Sequence, residues 1–372
     1  MSNQDRIVKQ FIELVQIDSE TTKERKIADH LLQQFEQLGL EVKEDNTHQQ
    51  TGHEAGNIIA RLKGNDSNIP SIYFTAHMDT VVPGEAIKPV IKDEFIYSDG
   101  TTILGADDKA GITSIIELIH MLKEQPVIHG DIYFAIMSGE ESGLVGSQYF
   151  DESQLPVSFG YALDSDGEVG SIITAAPSQA KIYATIKGKA AHAGVQPEKG
   201  VSAISMTAKA ITKMPLGRID EETTANVGSF EGKGPTNVVC DRVLLIAEAR
   251  SLSKDKLDNQ VEAMCTALKE STANMGGEVD IEIKHMYPNY QFDENDQVVQ
   301  IAMKAASALG KEASLKVSGG GSDANHLSGK GIPTVNLAVG YENIHTKNER
   351  IGIASLTEVP LYMYEIVKQL SK

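Results

Sequence analysis

A chain of 372 residues, 41% apolar and 23% charged, has an ordinary globular composition and is long enough for two domains. Its 34 Lys and Arg stand against 52 Asp and Glu, a formal charge of −18, so its field repels phosphate backbones and anionic lipid and excludes nucleic acid and membrane as expected partners. Cys240 and Cys265 form no disulfide framework, residues 1–10 lack the apolar stretch of a signal peptide, and no apolar run approaches 18 residues, so the expected compartment is the cytoplasm.

Residues 7–15 and 27–38 carry apolar side chains at helical spacing, and residues 72–76 read as a buried strand. A helix over 110–122 and strands over 132–137 and 161–163 continue an α/β alternation. The middle of the chain reads differently: strand 181–187, helix 201–214, strands 224–230 and 238–249, helix 254–273, strand 278–285. That β-α-β-β-α-β order is ferredoxin-like. Alternation then resumes with a helix over 296–309, a strand over 334–338 and a closing helix over 356–370. The expected architecture is a mixed, mostly parallel sheet flanked by helices, residues 1–177 and 288–372, with an inserted ferredoxin-like α+β domain at 178–287.

The polar residues that stand out fall just past the C-terminal ends of the expected strands, where open α/β sheets bind ligands. The first strand runs into His77-Met78-Asp79-Thr80, in which an imidazole can bind metal while Asp79 orients it. Asp107 and Asp108 lie between glycines at a helix start, a pattern that taken alone better suits an N-cap with a solvated Asp-Lys pair. The strand over 132–137 runs into Ser138-Gly139-Glu140-Glu141-Ser142-Gly143, adjacent acids that repel unless a cation, a proton or solvent compensates. Asp164 follows the next strand, and His345 the strand over 334–338. Asp107, Glu141 and Asp164 bring three negative charges against the four of two dications, and one hydroxide balances the site. Mixed imidazole and carboxylate ligation points to two Zn²⁺, with Co²⁺ or Mn²⁺ as alternatives.

Together, His77-Met-Asp-Thr80, Gly105-Ala-Asp-Asp-Lys-Ala-Gly111, Ser138-Gly-Glu-Glu141, Asp164 and His345 resemble the aminoacylase and carboxypeptidase G clan of dizinc metallopeptidases over nearly the whole chain. Gly105 to Gly111, Val169-Gly170 and Ala191-His192-Ala193-Gly194 are most similar to its peptidase T branch, the tripeptide aminopeptidases. The resemblance implies that His77, Asp107 and Asp164 hold one zinc and that Asp107, Glu141 and His345 hold the other, with Asp107 bridging and Asp79 behind His77. It further implies Glu140 as general base, His192 of the inserted lid as oxyanion donor, and a cis peptide between Asp107 and Asp108. Arg250 and Asn237 match lid residues that contact the substrate's carboxylate end, and Gly319 to Asp323, with Gly320 at its centre, matches a glycine loop lining that pocket. The implied substrate is a short peptide, with a homodimer through the lid left open.

No Gly-x-Ser-x-Gly and no His-Glu-x-x-His occurs, so neither a serine hydrolase elbow nor a mononuclear zincin helix is expected. An N-acyl-amino-acid or dipeptide hydrolase would use the same residues, because the motifs specify amide hydrolysis and not the acyl side. A metal-binding protein of the same fold, without catalysis, is disfavoured by the presence of Glu140.

Overall fold

The computed structural model describes residues 3–372. Met1 and Ser2, part of the N-terminal segment read above, lie outside the described residues. The chain divides into one compact unit made of Met1–Ala175 with Gln291–Lys372, and a second made of Ala176–Tyr290. These divisions fall two and three residues from those expected at 177 and 287. The strand Ser171–Ala176 pairs with the first unit's Ser314–Val317, and Ser178–Lys187 belongs to the second unit's sheet, so the first division falls at the junction of the two strands.

In the first unit the sheet runs, side by side, Glu41–Glu44, Ile58–Leu62, Ile132–Met137, Ile72–His77, Phe159–Ser165, Thr334–Ala338 and Ser171–Ala176. Four central strands, Ile132–Met137, Ile72–His77, Phe159–Ser165 and Thr334–Ala338, are mutually parallel. Their C-terminal ends therefore share one edge, with His77 opposite Met137.

Alternation along these strands divides the core in two. Ile72, Phe74, Ile132, Phe134 and Ile136 face the larger cluster, which also takes in Phe11, Ile115, Ile119, Leu356 and Met363 from the helices Asn3–Val15, Ala106–Glu124 and Ile353–Gln369. Tyr73, Tyr133, Ala135 and Met137 face a smaller cluster with Phe150, Leu155 and Leu327. Two-sided burial explains why the strands read as continuous apolar runs. Glu41–Glu44 and Ile58–Leu62, absent from the sequence reading, are an antiparallel pair at the sheet's margin. The first of them alternates between exposed and half-buried residues and carries little apolar signal.

The second unit has the strand order Glu278–Tyr287, Ser178–Lys187, Arg242–Ser251, Thr223–Glu231, all antiparallel, with the short Gly217–Arg218 beside the last. Its helices Ala203–Ile211 and Lys254–Ala273 pack over Ile182, Ile186, Val243 and Leu245. The strand expected from 238 begins only at Arg242, since the preceding residues are spent on turn contacts, with Val239 N–H donating to the Ala191 carbonyl. Among the described residues no helix is long and apolar enough to cross a membrane.

Phe74 is fully buried and stacks between Phe134 and Tyr161, with ring centroids 6.4 and 5.7 Å away. Phe74→Ala should lower the unfolding free energy of the first unit by about 3–5 kcal/mol, read from the midpoint of its urea transition at unchanged slope.

Candidate active site

Each of the four parallel strands ends in a segment that carries an acid or an imidazole. His77 is the last residue of its strand, and Nδ1 donates to the carbonyl oxygen of Asp79 at 3.1 Å. The ring therefore presents Nε2 to Asp107 Oδ1, 2.9 Å away, with Asp164 Oδ1 at 3.8 Å. The other oxygen of Asp107, Oδ2, lies 3.2 Å from Nε2 of His345, which is also 2.9 Å from Glu141 Oε1. Asp107 thus faces one imidazole with each oxygen, as a bridging ligand must. His345 itself holds φ +60°, a left-handed conformation that is uncommon outside glycine and concentrated at functional sites.

Ligand atoms of His77, Asp107 and Asp164 lie within 4.8 Å of one another, as do those of Asp107, Glu141 and His345. His77, Glu140 and Glu141 form a third such combination. Of the two adjacent glutamates, Glu141 is bonded to His345, whereas Glu140's carboxylate takes no hydrogen bond among the described residues. Burial, and then the charge of Asp164, push Glu140 well above the usual carboxylate range. Burial pushes Asp107 upward too, but hydrogen bonds from His345 and His77 outweigh it and hold Asp107 below that range. The same bonds to Asp107 and Glu141 raise His345 to about 10. Two imidazoles with the carboxylates of Asp107, Glu141 and Asp164 are a donor set suited to zinc, cobalt or manganese.

A second layer holds the ligands through their backbones. The Asp79 carboxylate lies 3.5 Å from His77 Nδ1, farther than its own carbonyl oxygen. Its two oxygens accept the N–H groups of Glu140 and Glu141 at 3.0 and 3.1 Å. The Asp79 side chain therefore stands beside the His77 ring while its oxygens also clamp the glutamates. Asp108, joined to Asp107 by a cis peptide, accepts from His77 N–H at 3.2 Å and Gly111 N–H at 3.0 Å. Glu349, 1% exposed, accepts from the amides of Leu104, Gly105 and Asp107 at 2.7, 2.9 and 3.0 Å. Tyr341 donates its hydroxyl to Asp164 Oδ1 at 2.9 Å, and Asn336 Oδ1 accepts from the Asp164 amide at 2.8 Å. Sequence reasoning missed Glu349, Tyr341 and Asn336. The one available signal was Asn336, an amide inside an apolar strand.

Gly320 lies in the loop between Ser314–Val317 and the helix Asp323–Gly329, its N–H bonded to Ser318 Oγ at 3.0 Å. The remaining expected residues lie in the second unit. His192 is exposed, and its Nδ1 accepts from Gly194 N–H at 3.2 Å, which leaves Nε2 as the N–H donor of a neutral ring. Asn237 adjoins it, accepting from Ala193 N–H through its carbonyl oxygen. Arg250, near the end of Arg242–Ser251, donates from Nε to Glu248 at 3.0 Å.

A family model described as Peptidase family M20/M25/M40 matches residues 73–369, most of the chain. The chain belongs to this family. It is an enzyme that hydrolyses peptides, on a mixed α/β fold. It is similar to the crystal structure of aminopeptidase PepT from Bacillus cereus, with 55% identity, TM-score 0.94 and 99% of each chain covered. A tripeptidase from Staphylococcus aureus matches with 45% identity and TM-score 0.96 over 99% of this chain and 98% of that one. Peptidase T of Clostridium perfringens is 29% identical over 98% of each chain. The resemblance drawn from the strand-end motifs is thus to the family whose model matches most of the chain.

Glu349→Gln replaces one oxygen that accepts backbone N–H groups with an NH₂ that cannot. Metal affinity should fall by roughly 10–100-fold, as for other outer-shell changes, with helix content unchanged. Equilibrium dialysis with metal analysis checks this, and unaltered affinity would mean that the 104–107 segment holds its shape without Glu349.

Proposed function

We propose that this enzyme is a dinuclear metallopeptidase that releases the N-terminal residue of short peptides, with tripeptides as the favoured length. The observation that carries the reading is Asp107, whose two oxygens face two different imidazoles, each within reach of a further carboxylate. His77, Asp107 and Asp164 would hold one zinc, and Asp107, Glu141 and His345 the other. When bound, two such cations polarise the scissile carbonyl and acidify water.

The chain's own groups do the rest. Glu140, buried and left outside the hydrogen bonds that engage Glu141, takes a proton from water and returns it to the departing amine. Asp79 fixes the amides of Glu140 and Glu141, so the base and its neighbouring ligand keep one spacing. We assign His192 Nε2–H to the oxyanion that develops on the scissile carbonyl. To Arg250 and Asn237 we assign the substrate's C-terminal carboxylate, which a guanidinium can grip bidentately. A clamp at a fixed distance from the reacting carbonyl limits peptide length. The similarity to the B. cereus aminopeptidase and the S. aureus tripeptidase supports this register.

Glu140→Gln should keep full metal content and lower kcat by roughly 10²–10⁴-fold, measured on a free tripeptide beside metal analysis of the same sample. Near-normal turnover at full occupancy would remove Glu140 as the base.

Amidating the C-terminus of a tripeptide should lower kcat/KM by about tenfold or more, and Arg250→Ala should abolish the difference between the free and amidated peptides. Faster hydrolysis of N-acetylated amino acids or dipeptides than of unblocked tripeptides would replace the aminopeptidase reading with an acylase or dipeptidase.

A further inference from the structure

The turn that carries Glu140 and Glu141 is gripped from three directions. Asp79 accepts the two glutamate amides, and Asn57 Oδ1 accepts from Ser138 N–H at 3.0 Å. The third grip involves a residue that neither the motifs nor the ligand set single out. His53, 8% exposed, lies against Gly139, which holds φ +62°, and a methyl group on Gly139 would overlap Cε1 of the His53 ring. The imidazole fills the space that a side chain at 139 would occupy.

Both ring nitrogens are engaged. Nδ1 lies 2.8 Å from Oε1 of Glu24, a carboxylate with no solvent exposure. Nε2 lies 3.3 Å from Ser142 Oγ, and Ser142 donates to the Gly139 carbonyl oxygen at 3.1 Å. A serine has one hydroxyl proton, and the carbonyl can only accept it. Nε2 then donates to Oγ and Nδ1 donates to Glu24, forming an ion pair in line with the upward shift that the Glu24 bond gives His53.

The far end of this chain is tied to the loop after His77. Glu24 Oε1 also accepts from Thr22 N–H at 2.9 Å, Thr21 N–H donates to the Thr80 carbonyl at 2.8 Å, and Thr80 N–H to the Ser19 carbonyl at 2.9 Å. A buried ion pair adds little net stability over apolar residues of the same volume, because desolvation offsets the attraction. What it adds is direction: it sets the Gly139 peptide against the strand end that carries His77.

We propose that His53, locked by Glu24, is a positioning residue for the base. Its ring and the Ser142 hydroxyl fix the Gly139 peptide, and so fix where the Glu140 carboxylate stands. The inference rests on the reading of Glu140 as base. It goes beyond that reading by naming a Glu-His-Ser chain, buried at Glu24 and His53, on which the base's placement depends.

Replacements at 53 separate the two bonds. His53→Asn keeps an amide near the Nδ1 position, for Glu24, and loses the reach to Ser142. His53→Gln places an amide near the Nε2 position and restores that contact. With metals saturating and a free tripeptide as substrate, His53→Asn should lower kcat by roughly tenfold or more, with KM within about twofold and metal content unchanged, since misplacement by ~1 Å can cost up to 10²-fold. His53→Gln should retain several-fold more kcat than His53→Asn, and Ser142→Ala should lower kcat about threefold or more. In a Glu140→Gln background the cost of His53→Asn should shrink to less than about twofold, since residues acting through one group are not additive.

The inference is overturned if His53→Asn and Ser142→Ala, both metal-loaded, turn over within about twofold of the parent. It is equally overturned if the loss tracks metal content, or persists in full without Glu140. Should His53→Asn not fold, Ser142→Ala at an exposed position decides alone. Normal turnover by Glu140→Gln would instead remove the base reading, and this inference with it.

Discussion

Like charges gathered at one edge of a sheet repel each other, and the rest of the first unit is arranged around keeping them there. Two carboxylates about 4 Å apart oppose each other by ~4 kcal/mol even at a well-screened effective dielectric constant of 20. Asp107, Glu140, Glu141 and Asp164 crowd around two imidazoles within such distances. Two imidazoles, which the carboxylates hold strongly basic, offset part of the charge, and the rest of the cluster's pull is toward dications.

The supporting layer is itself acidic, which at first sight compounds the difficulty. Asp79, Asp108 and Glu349 are all buried, yet their oxygens are spent on backbone N–H groups: two, two and three of them respectively. Four of those amides, of His77, Asp107, Glu140 and Glu141, belong to residues that carry the site. A carboxylate used this way compensates for its own burial and at the same time fixes a ligand's backbone, which a neutral side chain with a single acceptor could not do for three amides. Lys109, the buried cation of this region, donates to the Met78 carbonyl and Ser19 Oγ rather than to any of these acids, and burial lowers it to about 8.

Rigidity in the turns comes from excluded volume as much as from hydrogen bonds. Gly139 can accept no side chain beside His53, and a methyl group at Gly111 would lie 2.5 Å from Asp108 Oδ1. Both glycines are required by what already occupies the space, and both adjoin the acids whose placement matters. The second unit follows a different logic. It is an antiparallel sheet with helices on one face, and its expected functional residues sit on turns and strand ends, where His192 takes its tautomer from Gly194 N–H.

Much of this was determined by sequence alone, because the informative signals were local. Apolar runs at 72–76 and 132–137 specified buried strands, and the polar residues just beyond them specified a strand-end site, since a parallel sheet delivers every such segment to the same edge. The β-α-β-β-α-β order of the middle third was likewise a matter of local periodicity. What only the tertiary structure decided was which side chains hold the ligands in place. Glu349 reaches the 104–107 segment across more than 240 residues of chain, Tyr341 reaches Asp164 across 177, and His53 meets Ser142 across 89. Asp79, read from its spacing as the partner of His77, stands 3.5 Å from that ring, but its hold on the glutamate turn had no signal in the spacing. Local pattern fixes where a residue sits on its element, but the partner of a buried carboxylate is chosen by whichever unsatisfied donor the packed chain brings within about 3 Å, and no spacing in the sequence encodes that distance.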